Sequence, residues 1–105
     1  MKSILISEDD KVMQQKIAEV LPKHFGKTFE DIHGRSREGD LNYVRDLFCY
    51  FMRKRTTYTL VKIGEILNDR DYSTIIGSFK KIKDLADVYP HVRNDIKEID
   101  QKLKS

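Results

Sequence analysis

One cysteine, two prolines, five glycines and no tryptophan occur in the 105 residues. A single thiol, Cys49, rules out an internal disulfide framework and a Cys-based metal site. Its neighbours Phe48, Tyr50 and Phe51 make it a small buried apolar side chain rather than a reactive group. No apolar run approaches the ~20 residues of a membrane span, and no signal-like pattern precedes the first charged segment. A cytoplasmic protein without a membrane partner is therefore expected. There is no Gly-x-x-x-x-Gly-Lys phosphate loop, so no nucleotide is expected. His24, His33 and His91 are dispersed without metal-ligand spacing. Catalytic residues, cofactors and metals are accordingly expected to be none, and an enzyme is not indicated.

The sequence also lacks linkers, repeats and low-complexity tracts, and its β-branched residues are scattered singly within helical spacing. What remains is a charged, helix-patterned chain, with 39% hydrophobic and 35% charged residues. It is long enough for one small domain over 1–105 with one core. The fold class is all-α, a compact domain of about five to six helices. A formal charge of only +3 favours a nucleic-acid partner weakly, because binding needs basic residues gathered on one face.

From the N-terminus, Ser7 caps a first helix whose opening acids Glu8, Asp9 and Asp10 suit the positive end of the helix dipole. Val12, Met13, Ile17, Val20 and Leu21 give its buried stripe, Pro22 kinks or ends it, and Gly26 stops it. Thr28 to Ile32 reads as a capping-box start to a brief helix anchored by Phe29 and Ile32. His33 to Asp40 marks a loop. Leu41 to Arg55 is the central helix, with Leu41, Val44, Leu47, Phe48, Phe51 and Met52 on one side. Arg53, Lys54 and Arg55 crowd its last turn, where cations suit the dipole and can also reach phosphate. A final helix starts near Pro90 and carries Val92, Ile96, Ile99 and Leu103, a stripe whose default is packing within the domain.

Between these lies the stretch that carries chemistry. Thr59 caps a short helix with Leu60, Ile63 and Leu67 inward and Gly64 allowing a close crossing. After Asn68 to Arg70 a longer helix starts at Asp71 or Tyr72. Its buried face is Ile75, Ile76, Phe79, Ile82, Leu85 and Ala86, and Lys80, Lys81, Lys83 and Asp84 lie on the other side. A short helix, a tight turn and a longer helix with a polar N-terminus make a helix-turn-helix, with a motif core of about 40–89.

The run Thr59-Leu60-Val61-Lys62-Ile63-Gly64-Glu65, then Arg70-Asp71-Tyr72-Ser73-Thr74-Ile75-Ile76, then Lys80-Lys81-Ile82, resembles the C-terminal DNA-binding domain of the DnaA replication initiator family. The resemblance implies a Trp-repressor-like, DnaA C-terminal-domain-like fold. It also implies sequence-specific binding of double-stranded DNA in the regulation of replication initiation or transcription. It puts Asp71, Tyr72 and Ser73 where that family's signature contacts bases, and Arg70 and Thr74 where phosphate or base-edge contacts fall. Tyr72 replaces the usual histidine. Lys80 and Lys81 match the family's basic pair, Arg45 matches a basic position, and Arg35 and Arg37 preserve part of its basic backbone-contacting loop. Tyr43 falls at the position of its minor-groove arginine.

Asp71, Ser73 and Thr74 would also serve as plain helix caps in a protein that binds no DNA. The alternative function is thus a protein-interaction module that retains the fold without DNA contacts, motivated by Glu38, Asp40, Tyr43 and the mild net charge. The sequence leaves open a homodimer or a replication or transcription partner protein.

Overall fold

The computed structural model describes residues 8–34 and 39–104, which form six helices with no strand among them. They are α1 (Glu8–His24), α2 (Phe29–His33), α3 (Gly39–Arg55), α4 (Leu60–Ile66), α5 (Tyr72–Val88) and α6 (Pro90–Lys104). The all-α expectation holds, and most boundaries follow from local chemistry. Thr28 accepts from the Asp31 amide and Asp31 accepts from the Thr28 amide, closing the expected capping box of α2. Thr59 caps α4 by accepting from the Lys62 amide at 3.1 Å. Gly26, at φ +71°, follows the end of α1, where only an unbranched residue is comfortable. Pro22 sits inside α1 without stopping it before His24. Ser7, expected to cap α1, lies outside the described residues.

α3 is the axis of the bundle. It packs against α1, α2, α4 and α5, and α6 closes the far side against α1 and α5. The spacing predicts one inward face for α3 and a start at Leu41, and the structure differs in both respects. The helix begins at Gly39, with Asp40 in its first turn at the positive end of the dipole. From Val44 to Met52 every residue is buried, including Arg45, Asp46, Cys49 and Tyr50. A helix surrounded by neighbours has no solvent face along that length, so its charged residues must find partners indoors.

α1 shows the same substitution of a charge for an apolar residue. Val12, expected in the stripe, is 56% exposed. The inward line is instead Asp10, Met13, Ile17 and Leu21, at the i, i+3, i+7, i+11 spacing of one helix face. Asp10 is tolerated there because Thr57 donates to it from both its amide and its hydroxyl. Tyr58 Oη also donates to Gln14 Oε1 at 2.6 Å, so α1 is tied to the segment leading into α4.

On α6 Val92, Ile99 and Leu103 are buried and Ile96 partly so, which packs the whole stripe within the bundle. Arg55 pairs with Asp100, and Tyr43 Oη donates to Asp95 Oδ2 at 2.7 Å. Cys49 is 2% exposed, and burial pushes its thiol up to about 12. The sulfur is therefore protonated at pH 8, and native protein should not react with a disulfide reagent until it unfolds. Following thiol release in native and denatured samples checks this.

Candidate nucleic-acid interface

Ile63 and Leu67 anchor α4 in the core, and the chain then reverses through Asn68 and Asp69, both left-handed at φ 63° and 57°. Short polar side chains tolerate that conformation best after glycine. The turn is stitched by the Arg70 amide, which donates to Gly64 O at 2.9 Å. It passes so close to α4 that a Cβ on Gly64 would lie 2.0 Å from Arg70 O. Only glycine admits this crossing, and the crossing fixes where α5 begins.

α5 is held by Ile75 and Ile82, both fully buried, with Phe79 stacked on Tyr50 at 5.4 Å between centroids. Its first turn is free of the core: Asp71, Tyr72, Ser73 and Thr74 are all exposed. Asp71 occupies the N-cap position but makes no side-chain bond to the helix amides. Its Oδ2 accepts from the Ser73 hydroxyl at 3.0 Å instead. A pure capping role therefore fails for Asp71, whose carboxylate lies on the surface beside a hydroxyl that can donate or accept.

The helix-turn-helix model for the bacterial DnaA protein matches residues 14–82, which takes in α3, α4 and most of α5. The chain belongs to the bacterial DnaA helix-turn-helix family. It is similar to the chromosomal replication initiator protein DnaA of Herpetosiphon aurantiacus, 32% identical over 97 residues that cover 92% of this chain and 21% of that protein. The DnaA of Lachnoclostridium phytofermentans is 31% identical, with 94% of this chain and 22% of that protein covered. That of Clavibacter sepedonicus is 28% identical, with 96% and 21% covered. The chain thus spans about a fifth of the length of these curated relatives.

The DnaA-like motif residues do not all stand where their charge suggests. Lys80 is exposed and forms no ion pair among the described residues. Lys81 Nζ lies 3.2 Å from Asp46 Oδ2. Arg70 turns inward enough for Nη2 to donate to Gly34 O at 2.7 Å, while its Nε is buried without a hydrogen bond among the described residues. Arg45, expected at a basic DNA-contacting position, is 6% exposed. It donates to Ile32 O, to Gly34 O at 3.0 Å and to Asn42 Oδ1 at 3.0 Å. Burial, and secondarily the Arg70 charge, lower its pKa from the ordinary value.

Arg35 and Arg37 lie outside the described residues. Tyr43, which the resemblance sets against a minor-groove arginine, stacks edge-on to Phe25 and bonds Asp95, and burial raises its pKa above the ordinary phenol value. Of the cations ending α3, Arg53 lies over the Phe79 ring and Lys54 over Tyr50. Missing from the sequence reading was Asp46, whose mark was an acid inside an apolar run rather than a motif.

Proposed function

We propose that the chain binds double-stranded DNA through its helix-turn-helix, with the first turn of α5 reading base edges in the major groove, as part of replication initiation. The observation that carries this reading is the exposed turn Asp71 to Thr74, free of the core and with no side-chain cap at Asp71, in a chain of the DnaA helix-turn-helix family. The side chains fit that task. Asp71 accepts from a cytosine amino group, Ser73 bonds a donor or an acceptor, and Tyr72, 56% exposed, packs on a thymine methyl. Lys80 and Thr74 supply phosphate contacts, which position the helix without specifying sequence.

Fluorescence anisotropy with a labelled duplex carrying the family's origin box, and with a scrambled duplex, tests the proposal at two salt concentrations. Tighter binding to the box, weakening with salt, is the expected result. Ser73→Ala should cost about 0.5 to 1.5 kcal/mol on the box and far less on the scrambled duplex. Lys80→Ala should weaken both equally and flatten the slope of log K against log salt by about 0.9. Absence of salt-sensitive binding to any duplex would overturn the reading.

A further inference from the structure

Two lines of residues on α5 lie off its buried face. Ser73, Gly77 and Lys80, at i, i+4 and i+7, form the exposed line. Thr74, Ser78 and Lys81 form the neighbouring one, which leans onto α3 where Ser78 and Lys81 meet a single acid. Ser78 Oγ donates to Asp46 Oδ1 at 2.7 Å, and Lys81 Nζ stands 3.2 Å from Asp46 Oδ2. Asp46 is 9% exposed. Its Oδ2 is buried and has no aligned hydrogen-bond donor among the described residues; the Lys81 ammonium is the cation in contact with it, and the Arg45 guanidinium also attracts the carboxylate.

We infer that Asp46 is a built-in brake on DNA affinity, acting as a positioning residue that retains the exposed Lys81 in an ion pair at the flank of the recognition helix. The inference rests on the duplex-binding reading above. Asp46 is largely buried, so a move of the exposed Lys81 to a phosphate is opposed by the loss of this ion pair, which leaves Arg45 as the other charge attracting the carboxylate. While the two remain together they add no net charge to the field that draws DNA in. Lys80, one residue earlier, carries no such restraint among the described residues. The sequence shows a basic pair at 80 and 81, and the fold makes it one available cation and one neutralised one.

Asp46→Asn keeps the volume and the acceptor for Ser78 but removes the charge that holds Lys81. Its duplex affinity should rise about tenfold near 0.1 M salt, and the slope of log K against log salt should steepen by about 0.9, one extra phosphate contact. Asp46→Asn combined with Lys81→Ala should return the slope to the wild-type value. Melting by circular dichroism establishes that each variant is folded, and Asp46→Ser carries the same test if Asp46→Asn is not. A slope for Asp46→Asn equal to wild type, or weaker binding by a folded variant, would overturn the brake. Should wild type bind no duplex while Asp46→Asn does, the brake stands and only the native affinity is revised. Failure of both to bind overturns brake and duplex binding together.

Discussion

Gly64→Ala should lower the melting temperature by roughly 10 to 20 °C. The added Cβ would lie 2.0 Å from Arg70 O and 3.2 Å from Arg70 C, so the obstacle is backbone and cannot rotate aside as a side chain would. Relief requires α4 and the Asn68 to Arg70 turn to separate. That breaks the Arg70 amide bond to Gly64 O and loosens the packing of Ile63 and Ile75. Overpacking of this kind costs about 3 kcal/mol or more, and each kcal/mol moves the midpoint of a chain this size by ~4 to 8 °C. Gly77→Ala is the matched control. It lies in the middle of α5 with nothing within 4 Å of its Cβ position, so alanine should raise stability by about 0.5 to 1 kcal/mol. Thermal melts of the two variants should move in opposite directions. If Gly64→Ala melts like wild type, the close crossing that sets the start of α5 is wrong.

That crossing was legible in the sequence, and so were the Thr59 cap, the Thr28 capping box and the start of α5, because each is decided within a few neighbouring residues. Hydrophobic spacing likewise gave α6 and the inward residues of α3. The three buried charges among the described residues, Asp10, Arg45 and Asp46, were not legible as such. Helical periodicity assigns a charged residue to solvent unless its partner is known. Asp10 meets Thr57, Arg45 meets Gly34, and Asp46 meets Ser78 and Lys81, all remote in sequence. One clue was present in the composition of α3. Val44, Leu47, Phe48, Phe51 and Met52 fill one face while Cys49 and Tyr50 flank Asp46 on the opposite one, so the helix is apolar nearly all round and has little surface to offer a charge. Motif matching pulled the other way, since a basic residue in a DNA-binding family reads first as a phosphate ligand.

Arg45→Ala decides between those two readings of the same guanidinium. Its donors reach the carbonyls of Ile32 and Gly34, and Asp31 O at 3.4 Å, at the end of α2 where the last turn has no intrahelical partners of its own. Alanine removes the guanidinium from Ile32 O and Asp31 O while Gly34 O keeps Arg70, and with charged-group hydrogen bonds worth about 1.5 to 3 kcal/mol each, a net loss of ~3 kcal/mol is expected. Removing repulsion from Arg70, which also donates to Gly34 O, offsets part of the gross cost. The melting midpoint should therefore fall by roughly 10 to 20 °C. Arg45→Lys should recover less than half of that, because an ammonium cannot fork across several carbonyls as a planar guanidinium does. A phosphate ligand would behave differently, leaving the melt unchanged and flattening the salt slope of DNA binding by about 0.9. Arg70→Ala in the Arg45→Ala background should cost less or more than in wild type, not the same, because the two side chains share one carbonyl. Additive losses would mean that Gly34 O is not the point where both arginines hold the end of α2 against the helix-turn-helix.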